Sequence, residues 1–404
     1  MATRDETPVA WKVLKDVIDE RKNVQEMMTL QILSCNCFGG CHFTDAFVTT
    51  QEKLSMFSKL SPSGEKANGL YFQHVWDIPK LSRLIHEKQR EEEDTSCIQS
   101  TKRPRLLSVE EKNAYVCLQT YLNDIDIHQN SLEKVLDGAT ACSKSDVVKV
   151  VDAHLFGPLS GGNCYIDNHM ESSACSCGCG KQLKGGPTGL GVEYTWHGYA
   201  DMFINQTVPV AVWSEQEQPE PDSYIPDSEE QWQGLPSDIQ EVEVKKVRDV
   251  FPETNPKSAA CSRLMAQTIT NAFAQVNQNE QLAGLAVPAF GCTPSNLMFY
   301  AYDCKNDVLL RKIFGVNFVH KQSLAEAAVL VWLHLNFTVF MKEDVTSIEA
   351  HPELENFKAK FCINDSIRSW YKNVRVGEKV TGLQHSSRNE THVELVTTRE
   401  VKID

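Results

Sequence analysis

The sequence predicts an α/β protein in which helices flank a mixed central sheet, preceded by a mainly helical N-terminal region. Two observations predict this fold class. Short runs rich in apolar and β-branched residues, typical of strands, follow one another between residues 192 and 314. Segments with helical spacing precede these runs, interrupt them at 258–278 and follow them at 322–341.

Individual elements follow from the same periodicities. Helices are predicted at 130–139 and 145–155, where apolar positions recur every three or four residues. Short apolar runs predict strands later in the chain, and two of these runs, 192–204 and 240–247, also alternate between apolar and polar positions. The predicted strands cover 192–204, 208–213, 240–247, 282–290, 296–303 and 308–314. Up to residue 303 the predicted order is therefore strand–strand–strand–helix–strand–strand.

Composition divides the 404 residues into regions. A polar stretch with KRPR in it has no apolar periodicity and forms the main boundary. A second stretch is acidic and contains prolines, and we interpret it as an insertion between two strands. The regions are a helical N-terminal region at 1–92, a linker at 93–106, a core at 107–345 with the acidic insertion at 214–238, and a C-terminal helix with a polar tail at 346–404.

Charge and hydropathy exclude several classes of protein. The net charge of −14 argues against a protein that coats nucleic acid, so any DNA contact requires a local basic groove. The most apolar stretch, 327–340, is too short to span a bilayer, and the charged first residues lack the apolar core of a signal peptide. We expect a soluble protein that is not secreted and has no membrane contact.

Cysteine usage and one basic cluster indicate the compartment. The 14 cysteines have irregular spacing, which favours reduced thiols over a disulfide framework. Lys102, Arg103 and Arg105 lie in the polar linker and are typical of a nuclear import signal or a patch for an acidic partner, with a solvated charge run as the alternative. We therefore expect a nuclear or cytoplasmic protein, and its oligomeric state stays open.

Three charged residues on two strands form the main candidate site. Alternation places Glu243 and Lys245 on one face of the strand at 240–247, and Asp201 lies in the strand at 192–204. Two carboxylates brought together need a cation between them, and Mg²⁺ accepts carboxylates together with water and phosphate oxygens. A lysine beside such a metal can hold the attacking water of a phosphodiester hydrolase. The alternative for Glu243 and Lys245 is an exposed, salt-bridged strand edge.

The runs HGYADMFI and EVEVKK resemble motifs II and III of the PD-(D/E)XK nucleases, a superfamily with a restriction-endonuclease-like fold. The resemblance covers approximately residues 130–320. It implies Mg²⁺- or Mn²⁺-dependent hydrolysis of DNA, or else of RNA, with Asp201 and Glu243 as metal ligands, Lys245 as a catalytic residue and Gln267 facing the site from the next helix. The departures are Ala200 in the place of the signature's proline and the long gap that contains the acidic insertion. A catalytically inactive scaffold or a binding module that keeps the fold is the alternative function.

One element of the superfamily has no clear match in this chain. The resemblance implies an upstream glutamate on a helix, for which Glu133 is the first candidate and Glu193 the second. His197 is an alternative phosphate contact, although a half-buried structural role is the commoner one for a histidine on a strand.

Two cysteine clusters are candidates for a soft metal. Cys175, Cys177 and Cys179 lie within five residues near His169, but C-x-C-x-C spacing is unlike that of zinc knuckles and a tetrahedral site needs a fourth ligand. We favour a turn with free thiols there. The same interpretation applies to the second cluster, CNCFGGCH, which contains Cys35, Cys37, Cys41 and His42.

Overall fold

A computed structural model provides the three-dimensional structure of the chain. It describes residues 13, 28–37, 40–52, 70, 72–84, 87, 107–137, 142–168, 174–214, 258–346, 358–361 and 365–377. The strands in these residues are β1 Met28–Cys35, β2 Cys41–His42, β3 Val48–Glu52, β4 Cys164–Asp167, β5 Gly185–Gly186, β6 Gly189–Leu190, β7 Trp196–Tyr199, β8 Met202–Ile204, β9 Val208–Val212, β10 Val287–Cys292, β11 Asn296–Asp303 and β12 Val308–Gly315.

The helices with both ends in the described residues include α1 Phe72–Val75, α2 Val109–Asn123, α3 Ile125–Leu136, α4 Lys144–Val151, α5 Gly157–Leu159, α6 Ser258–Gln278, α7 Lys321–Leu335, α8 Phe337–Phe340 and α9 Asp365–Tyr371. A π-helical segment, Asp152–Phe156, joins α4 to α5. No helix in this part of the chain combines the length and the apolar character that crossing a bilayer requires.

Nine of the described strands form one mixed sheet, in the order β3-β1-β12-β11-β10-β9-β8-β4-β5. The β9–β10 and β4–β5 pairs are parallel and the other pairs are antiparallel. Helix α6 lies between β9 and β10 in the chain, as a parallel pair requires a crossover connection. A smaller sheet has the order β2-β7-β6.

Helices cover both faces of the large sheet. Successive residues of a strand point to opposite faces. The ring of Phe290 in β10 lies 6.0 Å from that of His334 in α7, whereas a Cβ on the next residue, Gly291, would lie 2.8 Å from Leu264 in α6. Glycine at 291 therefore permits the close approach of α6, and α7 covers the other face. The predicted fold class, a mixed sheet flanked by helices, is confirmed.

Most predicted elements of the core are confirmed. The strands β9, β11 and β12 and the helix α6 lie where their periodicity predicts them, with α6 and β11 matching to the residue. The predicted helix at 322–341 is interrupted at Asn336, which separates α7 from α8. The predicted strand at 240–247 lies outside the described residues.

Three predicted elements need correction. The strand at 192–204 is two strands, because the chain leaves the small sheet at Ala200 and joins the large sheet after Asp201. The helical spacing of residues 8–33 predicts a helix in the N-terminal region, and this prediction is wrong over β1, which pairs with β3 and β12 and so extends the same sheet as the core. The sequence also predicts a short helix at 352–362, and this prediction is wrong at 358–361, where Ala359 bonds through its backbone to Ile32 and Asp307.

A buried histidine in this core predicts a dependence of stability on pH. His334 is 1 % exposed, and burial lowers its pKa to about 4. Below pH ~6.5 the unfolded chain binds a proton here that the folded chain does not, so stability is present above pH 6.5 and is lost as pH falls towards 4. Between pH 6.5 and pH 5 we expect the free energy of unfolding of His334→Phe to fall by about 2 kcal/mol less than that of the wild type. Urea unfolding at the two pH values measures this difference. Equal losses in the two proteins would contradict this assignment.

Candidate metal centre

Four side chains converge beside the π-helical segment. The nitrogen or sulfur ligand atoms of His154, Cys175, Cys177 and Cys179 all lie within 4.8 Å of one another. His154 Nε2 is 3.2 Å from Cys177 Sγ and 3.4 Å from Cys179 Sγ, and the sulfurs of Cys175 and Cys177 are 3.3 Å apart. Four ligands at about 2.0–2.3 Å from a tetrahedral metal lie about 3.4–3.8 Å from each other. The group can therefore bind a metal ion.

A tight hairpin presents the three cysteines. Ala174 and Gln182 form a β-bridge at its base, and the Cys175 N–H donates to the Lys181 carbonyl at 3.0 Å. The turn is closed by the Gly178 N–H, which donates to the Cys175 carbonyl at 3.2 Å. Gly178 has φ +81°, a backbone conformation that favours glycine. The turn thus brings sulfurs from alternate residues to one point.

The π-helical segment presents the histidine. Helix α4 begins with a capping box, in which Ser143 and Asp146 satisfy each other's backbone N–H groups, and it continues directly into Asp152–Phe156. Single π turns are frequent at functional sites because they reorient a side chain within a helix. His154 is 5 % exposed, and burial lowers its pKa to about 4. It is therefore neutral at pH 7, the form that binds metals.

Cys175 and Cys177 differ in how readily they ionise. Burial raises the pKa of Cys175 to about 12. Burial also opposes ionisation of Cys177, but hydrogen bonds from the Cys175 and Cys179 thiols outweigh it and lower the pKa of Cys177. A bound metal deprotonates coordinating thiols. Of these two thiols, Cys177 is therefore the one that more readily becomes a thiolate in the metal-free protein.

Two lysines provide positive charge around the centre. Lys134 Nζ donates to the Cys177 carbonyl, and Lys181 Nζ donates to the Ala153 carbonyl at 2.9 Å. Three thiolates and one divalent ion leave a single net negative charge, which nearby ammonium groups stabilise. Lys134 and Lys181 also join the hairpin to α3 and to the π-helical segment.

The free-thiol turn expected at Cys175, Cys177 and Cys179 stays a prediction, but the lack of a fourth ligand near them no longer argues against a metal site. His154, which is distant in the sequence, is a candidate fourth ligand, because the packing of the π-helical segment brings it to the hairpin. His169, the histidine near the cluster in the sequence, lies outside the described residues. Within helix 145–155 the sequence offers His154 only as one polar position among others, so periodicity alone does not assign it to a metal site.

Asp201, the aspartate of the predicted nuclease site, contacts two cations. Its carboxylate lies 2.8 Å from Lys144 Nζ and 3.3 Å from an Arg263 nitrogen, and it accepts the Val212 N–H at 2.8 Å. Burial alone would raise the pKa of Asp201, but Arg263 and Lys144 outweigh it and hold this pKa below its usual range. Asp201 is therefore ionised and already neutralised by side chains of α4 and α6.

Among the described residues, no other predicted site residue forms a hydrogen bond or ion pair with Asp201. Gln267 is fully buried on α6, one turn beyond Arg263, and its amide has no hydrogen-bond partner among the described residues. Glu133 lies on α3, and Glu193 is exposed in the loop before β7. Glu243 and Lys245 lie outside the described residues, as do the basic linker residues Lys102, Arg103 and Arg105.

The second cysteine cluster lies where β1 ends. Cys35 Sγ and Cys37 Sγ are 3.2 Å apart, whereas Cys41 Sγ accepts a hydrogen bond from the Asn36 amide at 3.1 Å. His42 Nδ1 is 2.7 Å from the Thr44 hydroxyl. Cys35 and Cys37 thus contact each other, while Cys41 and His42 contact other neighbouring side chains.

Comparison of the chain with protein-family models, with curated proteins and with solved structures finds no match.

Proposed function

We propose that this chain is a zinc-binding protein in which His154, Cys175, Cys177 and Cys179 form a structural centre. The observation that carries the proposal is the convergence of four nitrogen and sulfur ligand atoms within 4.8 Å. Thiolates with an imidazole in a tetrahedral arrangement favour Zn²⁺, whereas Mg²⁺ prefers oxygen ligands. This chemistry favours zinc over the Mg²⁺ or Mn²⁺ that the nuclease resemblance implies.

A structural role follows from the number and burial of the ligands. Catalytic zinc keeps one coordination position for water or substrate, while four protein ligands close the site. His154, Cys175 and Cys177 are buried, and Cys179 is exposed. The zinc would fasten the hairpin at 174–182 to the helical layer of α3, α4 and the π-helical segment.

Metal content of the purified full-length chain tests this function. We expect about one zinc per chain by elemental mass spectrometry in the wild type, since the ligands form one site. Cys177→Ser is expected to lose most of this zinc, because serine oxygen is a poor ligand for a soft site. Cys117→Ser is the matched control, since Cys117 is a half-buried cysteine outside the group. A wild type without zinc, or equal zinc in wild type and Cys177→Ser, would overturn the proposal.

A second proposal concerns the wider fold. The order β8, β9, α6, β10, β11, with Asp201 directly before β8, agrees with the order that the nuclease resemblance implies. Since Lys144 and Arg263 neutralise the Asp201 carboxylate and the Val212 backbone N–H of β9 donates to it, these contacts favour an inactive nuclease-fold scaffold over metal-dependent hydrolysis of DNA. The Asp201 variant in the Discussion tests this proposal.

A further inference from the structure

The second ring nitrogen of His154 has its own contact. Its Nε2 lies against the sulfurs of Cys177 and Cys179, while its Nδ1 is 3.3 Å from Nδ1 of His128. A neutral imidazole that binds a metal through one nitrogen carries its proton on the other, and this N–H needs an acceptor when it is buried. His128 Nδ1 occupies the acceptor's place.

The orientation of His128 is fixed by a stacked tyrosine. The rings of Tyr121 and His128 have centroids 4.5 Å apart and are inclined by only 8°. Tyr121 is fully buried, and its hydroxyl donates to the backbone carbonyl of His154 at 3.1 Å. Tyr121 therefore fixes the backbone of His154 by a hydrogen bond and the ring of His128, which faces His154 Nδ1, by stacking.

We propose that His128 is a positioning residue of the zinc centre, whose Nδ1 accepts the Nδ1–H of His154 and so presents His154 Nε2 to the metal. This inference rests on the proposed zinc function. His128 then carries its own proton on Nε2, and both histidines are neutral. The expected consequence is tighter zinc binding, because the tautomer and ring orientation of the ligand are set before the metal arrives.

Two substitutions separate the acceptor from the stacked ring. His128→Asn keeps an acceptor, since its amide oxygen can replace Nδ1, but removes the ring that stacks on Tyr121. His128→Phe keeps a stacking ring and removes the acceptor. If His128 acts through its acceptor, zinc affinity should fall about 10- to 100-fold in His128→Phe and should stay near the wild-type value in His128→Asn.

Competition with a chromophoric zinc chelator on the full-length proteins measures these affinities, and circular dichroism checks that both variants fold. Weaker binding in the asparagine variant, or unchanged binding in the phenylalanine variant, would overturn the role of His128 while the zinc function stood. A wild type that binds no zinc would instead overturn the zinc function itself. The two failures are therefore distinguishable.

Discussion

Removal of zinc is expected to lower the free energy of unfolding by about 4 kcal/mol relative to protein held at free zinc about a thousand times the dissociation constant. The physical reason is that the ligands come from a hairpin and a π-helical segment, which lie together only in the folded chain. The free energy of zinc binding thus adds to the free energy of unfolding, because the site exists only in the folded chain. Urea unfolding of the full-length chain, with and without a strong chelator, measures the difference.

The ligand variant supplies the control for this experiment. Cys177→Ser should unfold at the same urea concentration with and without chelator, and Cys117→Ser should respond as the wild type does. Hydrogen exchange should locate the change in the hairpin, whose backbone bonds between Cys175 and Lys181 would open more often without metal. A wild-type transition that does not move on chelation would contradict a stabilising zinc.

The core elements could be predicted from the sequence because their signals are local. The continuous apolar run of β11 and the apolar periodicity of α6 lie within each segment and depend little on distant residues. The break at Ala200 is different. It arises because β7 and β8 pair with strands of different sheets, and neighbouring strands are not visible in the periodicity of one segment.

The metal centre could be predicted only in part for the same reason. The cysteines Cys175, Cys177 and Cys179 share one short segment, so the sequence shows three soft ligands together. His154 and His128 lie on other elements and reach the hairpin through packing of α3 against the π-helical segment. A ligand supplied across a tertiary contact has no spacing signal in the sequence.

Asp201 illustrates a different limit of the sequence. The pattern around Asp201 predicts a carboxylate that binds a cation, and a buried carboxylate does need a positively charged partner. The sequence does not show that Lys144, at the capped start of α4, and Arg263, on α6, both reach it. Arg263 also lies over the ring of Trp213, at 5.9 Å, which holds its guanidinium beside the strand edge.

Replacing Asp201 with asparagine is expected to destabilise the chain by about 3–5 kcal/mol, because it leaves two largely buried cations without their shared anion. Urea unfolding at pH 7 measures this, with Glu193→Gln, the substitution of an exposed carboxylate, as the matched control.

The pKa of Asp201 is below its usual range, so the contribution of its carboxylate to stability is present above pH ~3.9 and is lost as pH falls further. The gap between variant and wild type should therefore narrow below pH 4.

The same variant decides between the scaffold and the nuclease. A structural Asp201 predicts a large loss of stability and, in the wild type, no cutting of linear or supercoiled DNA with Mg²⁺ or Mn²⁺. A metal-binding Asp201 predicts that the wild type cuts DNA and that Asp201→Asn is as stable as the wild type or more stable. Carboxylates that repel each other in an active site lower the stability of the fold, so that removing one of them does not destabilise it. Metal-dependent cutting that disappears in Asp201→Asn, with no loss of stability, would overturn the scaffold proposal and restore hydrolysis. Because Lys144 and Arg263 already form ion pairs with the Asp201 carboxylate, we expect a large loss of stability in the variant and no cutting by the wild type.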